Sequence, residues 1–140
     1  MYKKILVAIE HSDADRAILS HVETLATLTG AALVLVHVAD GFAARHFEDL
    51  KLKESEEVQA DRAYLEGLGR DLAAKGFTVD TRLMMGTPST ELAKAVEREH
   101  VDLLAMATHG HRFIGDLVHG STVDRVRHLV TVPVLLVRRP

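Results

Sequence analysis

The sequence predicts a single doubly wound α/β domain, and three observations lead there. Five short apolar runs rich in Val, Ile and Leu recur along the chain, at Ile5–Ile9, Ala32–Val38, Phe77–Met85, Val101–Ala107 and Val132–Val137. Amphipathic helical patterns separate them. The resulting β-α-β-α-β-α-β-α-β alternation calls for a mostly parallel sheet, covered by helices on both faces and joined by right-handed crossovers. A length of 140 residues suits one core better than two, so residues 1–140 read as one domain.

The first run, behind Met1-Tyr2-Lys3-Lys4, is stopped by Glu10. It is shorter than the ~7–15 apolar residues of a secretory signal core or the ~20 of a membrane span, so it reads as a strand. A cytoplasmic protein with no membrane insertion is the expectation. After Ser12 and Asp13, the stripe Ala14, Ile18, Val22 and Leu25 marks a helix that closes at Gly30. Ser12 with Asp15 three residues on is an acidic variant of the capping box. The second strand follows, and the stretch from Asp40 to Leu50 fits neither period and reads as a loop.

A second helix is expected over roughly Asp49 to Lys75, with Val58, Leu65, Leu68 and Leu72 inward and Gly76 as its terminator. The third run alternates, with Thr78, Asp80 and Arg82 between Val79, Thr81 and Leu83, and so belongs at or near a sheet edge. The other four runs read as buried on both faces. Thr87 and Pro88 start a third helix with Leu92 and Val96 inward. A fourth is expected to begin near Ser121, with Val123, Val126 and Leu129. The fifth run carries Pro133 at its second position, tolerable at a strand start or on an edge.

Composition excludes several classes. Hydrophobic residues at 47% and charged ones at 26% rule out a disordered chain. Seventeen Lys and Arg against twenty Asp and Glu, a net charge of −3, give no field for a polyanion, so nucleic acid is not the expected partner. Cysteine is absent, which excludes disulfides, thiolate-bound zinc, iron–sulfur clusters and a thiol nucleophile.

In doubly wound sheets ligands bind beyond the carboxyl ends of the strands, where the winding reverses. The segment Thr108 to Ser121 is the most informative there. Gly110 lets backbone approach a ligand, and Gly120-Ser121-Thr122 is read as a helix opening whose N–H groups attract anions. Ser121 and Thr122 add hydroxyls, and His111 and Arg112 add positive charge. A tight turn at Gly110 and a simple cap at Ser121 account for the same residues without a ligand.

The whole chain resembles the universal stress protein family, from Met1-Tyr2-Lys3-Lys4-Ile5-Leu6-Val7-Ala8 through Gly86-Thr87-Pro88 to Val132-Pro133-Val134-Leu135-Leu136-Val137. The nucleotide-binding branch of that family carries G-x2-G-x9-G-[S/T]. The same register here gives Ala107-x2-Gly110-x9-Gly120-Ser121, with Ala107 in place of the first glycine. The resemblance implies strand order 3-2-1-4-5 and a stress-response module that senses or holds ATP, with Mg²⁺ or Mn²⁺. Its phosphates would lie on Gly110, Gly120, Ser121 and Thr122, with His109, His111 and Arg112 alongside. The adenine would lie near the first two strands, against Val38 and Met106, with Ala8 and Ile9 at the entrance. Glu10 stands where the family usually has Asp. A homodimer through the last strand, Val132–Val137, is also implied.

Two further classes stay open. Nine histidines include a cluster at His109, His111, His119 and His128, and imidazole binds Zn, Ni, Cu or Mn ions, so a histidine-based metal-binding protein is one alternative. No acidic partner is fixed by spacing, however. His37, inside the second strand, reads as a hydrogen-bonded core residue. The other alternative is a dimeric interaction protein that needs no nucleotide. The Walker pattern G-x4-G-K-[S/T] is absent, so slow ATP hydrolysis is the most enzyme activity expected.

Overall fold

The computed structural model describes residues 1–40, 51–108 and 116–139, with side chains left out at 40, 51–55 and 116–120. Five strands and four helices alternate among the described residues: β1 (Lys4–Ala8), α1 (Ala14–Thr29), β2 (Ala32–Asp40), α2 (Lys51–Ala74), β3 (Val79–Gly86), α3 (Pro88–Arg98), β4 (Leu103–Thr108), α4 (Asp116–Leu129) and β5 (Val134–Arg138). All strand pairs are parallel, and the sheet order is β3-β2-β1-β4-β5. The predicted doubly wound α/β fold, its five parallel strands and its order are therefore present.

Strand alternation builds two cores. Ile5, Val7, Leu33, Leu35, Leu103 and Ala105 face α1 and α2, meeting Ile18, Val22, Leu65 and Leu72. Leu6, Val34, Val36, Leu104 and Met106 face α3 and α4, meeting Leu92, Val96 and Val126. Apolar residues at successive positions are thus needed in β1, β2 and β4, which have helices on both sides. β3 stands at one edge with the alternating burial its sequence predicts. β5 departs from the expectation of two buried faces. It lies at the other edge, starts after Pro133, and leaves Leu136 46% exposed, because among the described residues no further strand pairs with its outer side.

Helix ends follow local chemistry. Gly30 takes φ +77° and returns its N–H to Ala26 O at 2.8 Å, the left-handed stop that glycine permits without strain. Pro88 occupies the first position of α3 behind an extended Thr87. α4 differs from expectation: it begins at Asp116, not near Ser121. An acid suits a helix start, and nothing from 116 to 119 breaks a helix, so Gly120 is absorbed inside it at a modest propensity cost. The expected loop at 41–50 lies outside the described residues.

Candidate functional site

β1 delivers the chain to a turn, Ile9 to Ser12, that is held from below by one buried carboxylate. Asp15, 2% exposed in the first turn of α1, accepts hydrogen bonds from the backbone N–H groups of Glu10 (2.8 Å), His11 (2.9 Å) and Ser12 (3.2 Å). The predicted capping box is not formed: the helix cap is Asp13, without a side-chain cap hydrogen bond, and Ser12, one residue earlier, accepts at Oγ from Ala14 N–H at 3.2 Å. A fourth donor, the Tyr64 hydroxyl of α2, reaches Asp15 Oδ2 at 2.6 Å. Burial, then that hydrogen bond and the Asp15 charge, push the Tyr64 phenol well above its ordinary pKa.

The same turn is gripped from the side. His11, at φ +65°, stacks on the Tyr64 ring with centroids 4.0 Å apart and donates Nδ1–H to Asp61 Oδ1 at 2.6 Å. His37 donates Nδ1–H to Ile9 O at 2.8 Å, the hydrogen-bonded role its place in β2 suggested. Arg139, just past β5, pairs with Asp13 at 2.7 Å. Among the described residues no buried side-chain nitrogen or oxygen lacks a partner.

Above this turn, at the carboxyl ends of β1, β2 and β4, lies a cavity of about 160 Å³. Ala8, Ile9 and Glu10 line it from β1, Val36, His37 and Val38 from β2, and Met106 and Ala107 from β4. Pro88 and Leu92 of α3 and Thr122 and Val123 of α4 close the other side. The walls are mainly apolar, and Glu10, His37 and Thr122 are their polar members. The position is the β1/β4 switch point, where the direction of winding reverses.

Seven of the residues singled out from the sequence thus share one cavity: Ala8, Ile9, Glu10, Val38, Met106, Ala107 and Thr122. Ser121 is exposed on α4. Gly120 lies inside α4, so the expectation that Gly120-Ser121-Thr122 opens a helix is corrected: a backbone N–H in the second turn already has an intrahelical acceptor. What this segment offers an anion is its hydroxyls. His109, Gly110, His111 and Arg112 lie outside the described residues. Of the histidine cluster only His128 is described as a side chain, and it is exposed. Among the described residues no group of three or more His, Asp or Glu is arranged to hold a metal ion.

The universal stress protein family model matches residues 1–138. The chain belongs to that family. Universal stress protein MJ0577 of Methanocaldococcus jannaschii is 31% identical over 159 aligned positions, covering 99% of this chain and 96% of that protein. A solved structure of MJ0577 superposes with a TM-score of 0.87 at 29% identity, covering 100% of this chain and 98% of the other. Two more distant members share the fold. A universal stress protein in complex with cAMP has a TM-score of 0.70 at 20% identity, covering 98% and 97% of the two chains. One from Archaeoglobus fulgidus in complex with dAMP has a TM-score of 0.68 at 18% identity, covering 97% and 98%.

Against this universal stress protein fold, the sequence reading missed Val36, His37, Pro88, Leu92 and Val123 as cavity walls. Leu92 and Val123 were legible only as inward positions of their helices. It also missed Asp61, which lies on the apolar stripe of α2, three residues after Val58 and four before Leu65, and Tyr64, four before Leu68 at that stripe's edge; the spacing was a signal that could have placed both on the packed side. No helix among the described residues is long and apolar enough to cross a membrane.

Proposed function

We propose that this universal stress protein is a cytoplasmic binding module for an adenine nucleotide, ATP foremost, that serves a sensing or regulatory role in stress response. One observation carries the reading: a mainly apolar cavity at the switch point that counts Glu10 among its lining residues. Aliphatic walls at Val38, Met106, Ala8 and Ile9 suit a flat purine, and the Glu10 carboxylate suits the two ribose hydroxyls as donors. The phosphates would run toward the Thr122 and Ser121 hydroxyls, with Gly110 and Gly120 and the side chains of His109, His111 and Arg112 beyond. Mg²⁺ or Mn²⁺ would ride on the phosphate oxygens. The cAMP and dAMP complexes of distant family members support the adenine class.

A second reading, a nucleotide-independent dimer, is favoured by the apolar edge strand β5 with Leu136 exposed. The two readings are compatible, and a homodimer through this strand belongs to both. The deciding experiment is to denature freshly purified protein and identify released nucleotide by chromatography. Nucleotide-free protein is then titrated with ATP, ADP and AMP, with and without Mg²⁺. Copurified or micromolar ATP is expected. A folded protein that binds none of the three at millimolar concentration overturns the nucleotide reading and leaves the dimer.

A further inference from the structure

A chain of ionisable side chains joins the β1–α1 turn to α2, and Asp61 sits at its centre. Its Oδ1 is 2.6 Å from His11 Nδ1, and its Oδ2 is 3.4 Å from His37 Nε2. His37 meets the turn again through Nδ1, 2.8 Å from Ile9 O. The two imidazoles face each other edge-on with centroids 6.4 Å apart.

Donor arithmetic decides what this arrangement requires. A carbonyl oxygen only accepts, and so does an ionised carboxylate. Neutral imidazole has one N–H, which the Ile9 carbonyl at 2.8 Å takes at Nδ1, so a neutral His37 turns an Nε2 lone pair toward the Asp61 carboxylate. Only the imidazolium serves both. Around His37 stand the Ile9 carbonyl and His11 from the turn and Asp61 from α2. Next along the same contacts come Tyr64 of α2, Asp15 of α1 and Glu10 of the turn. Asp15 is occupied by three backbone N–H groups and the Tyr64 hydroxyl, and Asp61, 3.4 Å from Nε2, is the carboxylate that faces the ring.

We propose that His37, through Asp61 and Ile9, ties the position of the Ile9–Glu10 turn to proton binding, so that the adjoining cavity holds nucleotide more tightly in acid than in base. The affinity half rests on the nucleotide reading above; the turn half does not. His37 is a positioning residue, because it acts through its hold on Ile9. Acidification gives Nε2 a proton facing Asp61 and anchors the ring from both sides, and alkalinisation releases the Asp61 end while Nδ1–H keeps Ile9.

Two readouts separate the halves. In ligand-free ¹⁵N-labelled protein, ring and backbone resonances are followed from about pH 5 to 8. The amides of Ile9, Glu10 and His11 are expected to move with protonation of the His37 ring. They should stop doing so in His37→Gln, which keeps a donor for Ile9 and has no titrating proton. Amides that stay fixed while the ring titrates, or that move equally in His37→Gln, overturn the proposal. ATP is then titrated into both proteins at the two pH extremes, so that titration of the nucleotide itself cancels. The acid-to-base ratio of affinities is expected to be at least about fivefold larger in the wild type. Equal ratios overturn the proposal and leave the nucleotide reading standing. A wild type that binds no ATP at either pH, while its turn amides follow His37, overturns the nucleotide reading and supports the proton-dependent turn. Should His37→Gln fail to fold, Asp61→Asn removes the charge, keeps an acceptor for His11, and is read the same way.

Discussion

The Tyr64 hydroxyl donates to Asp15 Oδ2 at 2.6 Å, across 49 positions of sequence, and fastens α2 to the first turn of α1. Asp15 is thereby saturated, with three backbone donors and one phenol on a side chain that water scarcely reaches. Tyr64→Phe deletes one bond to a charged acceptor and should cost about 1–3 kcal/mol in urea unfolding at neutral pH. The alkaline arm gives a second check. The folded phenol keeps its proton longer than the unfolded one, so its contribution is whole below the ordinary value of 10.0 and is lost as pH rises past it. Wild-type stability should fall more steeply above that value than that of Tyr64→Phe. Parallel alkaline curves for the two proteins would contradict the assignment.

Two glycines two residues apart, and so on opposite sides of α2, test how closely the helix lies on the sheet. A Cβ on Gly69 would meet Thr81 Cγ2 at 2.7 Å and Val79 Cγ1 at 3.4 Å, both on β-branched side chains of β3 with little room to yield. On Gly67 the nearest atom would be Arg70 Nη2 at 3.8 Å. Gly67→Ala should therefore gain about 0.5–1 kcal/mol from helix propensity. Gly69→Ala should lose about 1 kcal/mol net, as overpacking exceeds the same gain. Urea midpoints that move in the same direction for both would show that α2 can slide on β3.

How much was legible in the sequence depended on whether a feature was local. β3 declared its edge position through Thr78, Asp80 and Arg82, because an alternating strand needs only its own residues to show which face is wet. Ala8, Val38 and Met106 could be placed at one cavity because the strand ends of this topology converge there. Two things were hidden. The start of α4 at Asp116 was obscured by Gly120-Ser121, a strong local cap signal that the longer helix overrides. Asp61 and Tyr64 lie on or beside the inward stripe of α2, but the partners that give them meaning, Asp15 of α1, His11 of the turn and His37 of β2, are distant in sequence and cannot be read from the helix alone.

Ala107, the departure from the family glycine, carries a third prediction. It lies within regular β4, paired in register with Val137, and is absent from the residues at positive φ. Glycine's freedom is thus not needed at this point of the strand. Ala107→Gly should cost about 0.5–1 kcal/mol of stability, as glycine does inside a strand, and leave ATP affinity within about twofold. Ala107→Leu adds three carbons to a cavity wall and should weaken ATP at least about tenfold. Calorimetric titration reads both. A Leu variant that binds as well as the wild type would move the nucleotide away from this cavity.

The outer edge of β5 can be tested without disturbing the fold, because the register says which groups face outward. Pro133 O accepts from Leu104 N–H at 3.0 Å, and Arg139 N–H donates to Thr108 O at 2.8 Å. In a parallel pair, alternate residues point both backbone groups to the same neighbour. Positions 133, 135, 137 and 139 therefore face β4, and Val134, Leu136 and Arg138 turn their N–H and C=O groups away from the sheet. Val134→Pro removes an outward donor and leaves the bonds to β4 intact. If two copies pair along this edge, the substitution should convert a dimer to a monomer by light scattering, while circular dichroism stays that of the folded protein. Leu135→Pro deletes a donor on the β4 side and should instead lower the thermal midpoint. A Val134→Pro protein that remains dimeric with an unchanged midpoint would place the contact on another surface. A Val134→Pro protein that unfolds would show that this strand is completed by its partner rather than merely joined to it.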